Sequence, residues 1–167
     1  SYDIQCRLLG LVPVHVPVDM EAFHPDFDAL EAAVTEKTRV MVINSPNNPT
    51  GAVYTPDEIQ RLLDFASRHD LWLISDEIYA RLNWTDWEHV SPASLPGGSE
   101  RTIVVTGWSK SFAMTGWRLG VVWGPDAVMQ AMGKLQANAC SHVPTFLMDA
   151  ALAALEPAID VAVHVFN

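Results

Sequence analysis

The chain has three lysines, Lys37, Lys110 and Lys134, and Lys110 is the one placed where an amine could do chemistry. It lies in residues 106–120, a stretch rich in Gly, Ser and Thr that two apolar, β-branched segments bracket, 102–105 before it and 119–123 after it. An amine presented between buried strands can lose its proton by desolvation and become a nucleophile toward a carbonyl, the Schiff-base use of lysine. Lys37 sits in the charged setting Glu36-Lys37-Thr38-Arg39, and Lys134 falls on an amphipathic helical pattern. If the protein uses a lysine, it is Lys110.

The elements around it follow from spacing. Val12, Val14, Val16 and Val18 alternate, predicting a strand near residues 11–16 between Pro13 and Pro17. Asp26 can cap a short helix in which Phe27, Leu30 and Val34 share a face, and residues 38–44 then read as a buried strand. Ser45-Pro46-Asn47-Asn48-Pro49-Thr50-Gly51 is a shaped loop. Thr55, Pro56 and Glu58 predict a helix start with a capping box, with Ile59, Leu62, Leu63 and Ala66 on one face and His69-Asp70 at the end. Residues 71–75 form another buried strand, delivering Asp76 and Glu77 at its exit. Residues 83–99 read as a polar surface connection, with Pro96-Gly97-Gly98-Ser99 a plain turn. Pro125 and Asp126 open a helix carrying Val128, Met132, Leu135 and Ala139. Pro144 precedes a last helix over 145–155, whose stripe of Phe146, Ala150, Ala154 and Leu155 is expected in the core and which Pro157 stops.

Strands alternating with helices predict an α/β fold, a three-layer domain on a mostly parallel mixed sheet. In such sheets functional groups gather at the carboxyl ends of the strands. That rule collects Asn48, Asp76 and Lys110 on one edge. Each also has a plainer reading: Asn48 as a turn residue, Asp76 as the cap of a helix over 77–81, Tyr79 as packing, Arg118 as the partner of a surface carboxylate.

Composition narrows the alternatives. The 167 residues, 49% hydrophobic, can bury one core, and a net charge of −10 argues against a nucleic-acid surface or an anionic-membrane surface. Any bound phosphate therefore needs a local cluster of donors. Cys6 and Cys140 are isolated, and the six histidines are scattered without metal-ligand spacing, so no metal site is expected. The absence of a basic segment leading into an apolar core, and of a membrane-length apolar run, makes a cytoplasmic protein the expectation.

Three ordered stretches, residues 44–51 (NSPNNPTG), 75–79 (SDEIY) and 109–120 (SKSFAMTGWRLG), carry a resemblance to the pyridoxal-phosphate-dependent aminotransferases of class I/II, the aspartate aminotransferase fold. The likeness runs from about residue 8 to residue 155. It implies that Lys110 forms an imine with the cofactor aldehyde and later moves the substrate α-proton, and that Asp76 pairs with the pyridine nitrogen. By the same resemblance, Asn48 and Tyr79 hydrogen-bond the ring's phenolic oxygen, while Arg118 and Ser109 hold the phosphate. Where some relatives place a phosphate-binding Ser three residues before the lysine, this chain has Gly107, so Ser109 and Thr106 would have to serve.

Family members are more than twice as long. The resemblance therefore implies a fragment, with residues 1–144 part of the cofactor-binding large domain and 145–167 a helix leading toward a small domain. The phosphate-binding turn and ring-stacking aromatic would lie upstream and the arginine for the substrate carboxylate downstream. The fragment alone is expected to be inactive and prone to aggregate through uncovered apolar faces. For the complete protein the resemblance implies a homodimer that exchanges an amino group between an L-amino acid, of the aspartate, aromatic or related kind, and a 2-oxo acid. Two other outcomes on the same fold stay open: a C–S lyase or synthase, and the aminotransferase-like sensor domain of a transcription regulator.

Overall fold

The computed structural model describes residues 2–156. The chain forms two compact units, Ser1–Thr38 and one beginning at Arg39.

The first unit holds helices α1 (Tyr2–Leu8) and α2 (Phe27–Ala33). On α1, Arg7 Nε donates to Asp3 Oδ2 at 2.9 Å and His15 Nε2 lies 2.9 Å from Asp3 Oδ1. Arg7 first, and His15 second, hold the Asp3 carboxyl at about 2, below the ordinary carboxylate range. Asp26 caps α2 as expected, its Oδ1 accepting from Ala29 N at 2.9 Å. The strand expected near residues 11–16 does not form: these residues carry no ladder, and one isolated bridge joins Val18 to Pro25. Pro13 and Pro17 offer no N–H to a partner strand, and Leu11, Val12 and Val14 stay exposed. Alternation here specifies an extended backbone without giving it a neighbour.

The second unit is built on a four-stranded sheet in the order β1 (Val40–Asn44), β2 (Trp72–Asp76), β3 (Thr102–Gly107), β4 (Gly120–Trp123). The first three strands are parallel and β4 is antiparallel to β3. This is the mostly parallel mixed sheet that the sequence predicts. Helix α3 (Pro56–Arg68) crosses over between β1 and β2, and its start has the full capping box: Glu58 N donates to Thr55 Oγ1, and Thr55 N donates to Glu58 Oε2.

The core lies on one face of the sheet. Ile59, Leu62, Leu63 and Ala66 of α3 are buried together with Met41, Ile43, Leu73 and Val104 of the strands. These strand residues are in register, Met41 beside Leu73 and Ser75 beside Val104. The opposite face is open, with Val40, Val42 and Trp72 exposed. The strands expected to be buried are buried at alternate residues, because among the described residues only one face is covered.

Three further expectations change. The connection from β2 to β3 is anchored as well as exposed, since Pro92 and Gly98 are buried in two short 3₁₀ turns, Pro92–Ser94 and Gly98–Glu100. Helix α4 (Asp126–Ala139) starts after Pro125 as expected but buries none of its residues, and Met132 and Leu135 are exposed. Helix α5 (Thr145–Ala154) buries Ala151 and Ala154, while Phe146 and Leu155 are exposed. The face turned inward is the small-residue one, which lets the α5 backbone approach the loop after β3. Pro157 lies outside the described residues. No described helix is long and apolar enough to cross a membrane.

Candidate active site

The loop after β1 is held by its own side chains. Asn44 Nδ2 reaches across to the Asp76 carbonyl oxygen at 3.0 Å, tying the end of β1 to the end of β2. Asn47 Nδ2 donates to Asn44 Oδ1 (3.0 Å), Thr50 Oγ1 donates to Asn47 Oδ1 (2.9 Å), and Gly51, at a φ of 74°, closes the turn by donating to Asn47 O. Buried Ser45 accepts from Tyr54 N at 2.8 Å. The Ser45–Pro46 and Asn48–Pro49 peptides are cis. This frame projects Asn48 toward the neighbouring strand, where its Nδ2 donates to the Tyr79 hydroxyl oxygen at 3.1 Å.

Asp76 ends β2, half-buried, and its Oδ1 accepts from Ile78 N at 3.3 Å. The residues that follow form turns, with Ala80 N donating to Glu77 O and Leu82 N to Tyr79 O, so no helix exists for Asp76 to cap. That turn brings Tyr79 under Asn48. Lys110, on the loop after β3, places its Nζ 5.8 Å from the centroid of the Tyr79 ring, within the range of a cation–π contact. Asn48, Tyr79 and Lys110 thus meet at the carboxyl ends of β1, β2 and β3, with Asp76 beside them on the end of β2.

The Lys110 loop is organised by Trp108. Its N–H donates to Leu119 O, and its carbonyl accepts from Phe112 N and Met114 N. Its indole Nε1 donates to Ala151 O of α5 at 3.0 Å. Ser109 is half-buried beside the lysine. Arg118 is exposed, in the left-handed region at a φ of 55°, and one of its terminal nitrogens donates to Thr115 O at 3.0 Å. That bond goes to backbone and leaves the rest of the guanidinium fork facing outward. Gly107 pairs with Gly120 across β3 and β4, and a Cβ on it would stand 2.7 Å from Leu119 O.

A buried polar cluster behind the site escaped the sequence reading. The Glu77 carboxylate accepts from Ser75 Oγ (2.9 Å) and Ser91 Oγ (2.7 Å) through Oε1, and its Oε2 lies 3.1 Å from His89 Nε2. The signal available was Glu77 itself, a charged residue one step past an apolar strand where alternation turns it inward.

The carboxyl ends of the parallel strands thus gather an amine, a carboxylate and an amide–phenol pair, while Arg118 lies on the loop that follows Lys110 and bonds within it. Comparison with known proteins gives the family. The family model described as aminotransferase class I and II matches residues 1–165, and the chain belongs to that family. It is 46% identical to an aspartate aminotransferase of Pyrococcus abyssi over 156 residues, 93% of this chain and 40% of the relative. It is 45% identical to aromatic-amino-acid aminotransferase 2 of Thermococcus litoralis over the same shares. Among solved structures, the aspartate aminotransferase of Thermus thermophilus with maleate superposes with a TM-score of 0.91 at 39% identity, covering 99% of this chain and 43% of that one. The chain spans about two fifths of the length of the curated relatives it matches.

Proposed function

We propose that the protein carrying this chain is a pyridoxal-phosphate-dependent aminotransferase that exchanges an amino group between an L-amino acid, of the aspartate, aromatic or related kind, and a 2-oxo acid. The observation that carries the reading is the meeting of Lys110 with the Asn48–Tyr79 pair at the ends of three adjacent strands. The relatives named for aspartate and for aromatic amino acids support that substrate class.

The donor set fits the cofactor, whose bound ring supplies an electron sink for the α-carbon of an amino acid. Lys110 brings its amine to this edge, and as a free amine it can take a proton from a substrate carbon and return it to another. Asp76, a carboxylate at a strand end, holds a proton on a ring nitrogen by charge-assisted pairing. Because Asn48 donates to the Tyr79 oxygen, the Tyr79 hydroxyl hydrogen is left to donate to a further acceptor, and the pair together presents hydrogen bonds to an anionic ring oxygen. Ser109 and the outward fork of Arg118 present a hydroxyl and a cation to a phosphate, in a chain whose overall charge is −10.

Residues 1–144 act as part of the large domain, and helix α5 leads toward a small one. The protein works as a cytoplasmic homodimer on these two small-molecule substrates. The test is a half-reaction: the cofactor-loaded protein mixed with aspartate or tyrosine and no acceptor should convert the cofactor to its amine form and release the 2-oxo acid. No conversion with any proteinogenic amino acid would refute the proposal. Ammonia and oxo-acid release from a sulfur amino acid would make the protein a lyase.

A further inference from the structure

Asp76 and Glu77 are consecutive at the exit of β2, and strand alternation sends their side chains to opposite faces. Asp76 goes with Trp72 and Ile74, toward the open face, whereas Glu77 goes with Leu73 and Ser75 into the core. A carboxylate in the interior is costly unless donors surround it. Here Ser75 and Ser91 donate to one oxygen, and His89, its side chain 10% exposed, stands 3.1 Å from the other. The His89 approach is close enough for an ion pair and off the line of a well-directed hydrogen bond.

The proposed reaction gives this cluster no direct part, since Glu77 lies on the core side of β2 and Asp76 on the other. We infer that Glu77 is a positioning residue for Asp76: its carboxylate, gripped by Ser75, Ser91 and His89, locks the backbone from which Asp76 projects. The inference rests on the reading that Asp76 pairs with the cofactor.

The lock is visible in the backbone. The peptide joining Asp76 to Glu77 is held from both sides, its carbonyl accepting from Asn44 Nδ2 and Ser45 N on the β1 side, its N–H donating to Val105 O on the β3 side. Thr106 Oγ1 donates to the next carbonyl, that of Glu77, at 3.3 Å. The side-chain grip adds a further restraint on residue 77 to those of its backbone partners. It also fastens to β2 the connection that follows, through residues 12 and 14 positions further on. That connection is itself seated tightly, since a Cβ on Gly98 would stand 1.8 Å from Pro92 O. The grip thereby converts packing of the connection into a fixed direction for Asp76.

Two measurements on the protein test this, hydrogen exchange of the cofactor-free form and titration with pyridoxal phosphate, for Glu77→Ala, Glu77→Gln and Ser91→Ala. Glu77→Gln keeps an oxygen for the serine hydroxyls, and Ser91→Ala serves if Glu77→Ala does not fold. The expected result is faster exchange at residues 76–79 as well as 89–92 in Ser91→Ala and Glu77→Ala. Their cofactor affinity should fall about tenfold, with most of that loss recovered in Glu77→Gln. Faster exchange confined to residues 83–95, or unchanged affinity in a variant that melts early, would overturn the inference and leave the cluster a packing device. Failure of the parent protein to bind the cofactor would instead refute the proposed function, and the exchange pattern would still decide whether the grip fixes Asp76.

Discussion

Asn48 Nδ2 donates to the hydroxyl oxygen of Tyr79 at 3.1 Å, joining residues 31 positions apart from the ends of two neighbouring parallel strands. Neither residue is buried, so packing does not hold them together. The loop geometry on one side and the turn after Asp76 on the other place them within reach, and Lys110 sits over the phenol ring. The pair should act as a unit toward the ring oxygen of the cofactor.

Asn48→Ala and Tyr79→Phe should therefore each weaken cofactor binding by about fivefold, the worth of roughly 1 kcal/mol for one hydrogen bond. The double variant should lose much less than the product of the two, because each single change already breaks the same arrangement. Titration of the three proteins with pyridoxal phosphate reads this directly, and strict multiplicativity would show that the two residues act independently.

Gly107 makes a prediction about stability. Gly107→Ser restores the residue that some relatives carry three positions before the lysine, yet its Cβ would meet Leu119 O at 2.7 Å and Gly120 Cα at 3.0 Å. Both are backbone atoms, one just before the adjoining strand and one at its start, and cannot rotate away. The substitution should cost about 1–3 kcal/mol, measured as a lower denaturant midpoint at unchanged slope. An unchanged midpoint would mean that β3 and β4 separate easily, and the steric reason for glycine would fail.

Tyr54 gives a dependence on pH. Burial, and then the negative charge of Glu58, push its phenol above the ordinary value. A raised folded value means that the folded state keeps the proton after the unfolded state has released it. The contribution to stability is fully present below about pH 10, the ordinary phenol value, and is lost as pH rises through the folded one. Thermal midpoints should fall more steeply above that point in the parent protein than in Tyr54→Phe. Parallel curves would show that Tyr54 does not carry the effect.

What could be read from the sequence was whatever rests on local chemistry. Thr55, Pro56 and Glu58 specify a helix start among themselves, and the capping box forms as spacing predicts. Asn48, Asp76 and Lys110 could be gathered on one edge because strand ends in a parallel sheet share a side, and the structure brings Asn48 and Lys110 together around Tyr79. What could not be read depends on neighbours. Val12 and Val14 alternate like a strand but pair with no strand among the described residues, and Phe146 and Leu135 have helical spacing but are exposed. The Glu77 cluster joins residues 14 apart through an irregular connection, where no periodicity announces a contact.

The central claim is that Lys110 is the amine on which the site is built. Borohydride reduction of the protein with pyridoxal phosphate, followed by peptide mass spectrometry and with Lys110→Ala as control, tests it most directly. The account predicts labelling at Lys110, little at Lys37 or Lys134, and loss of the label in the variant. Equal labelling of all three lysines, or a label that persists in Lys110→Ala, would contradict it.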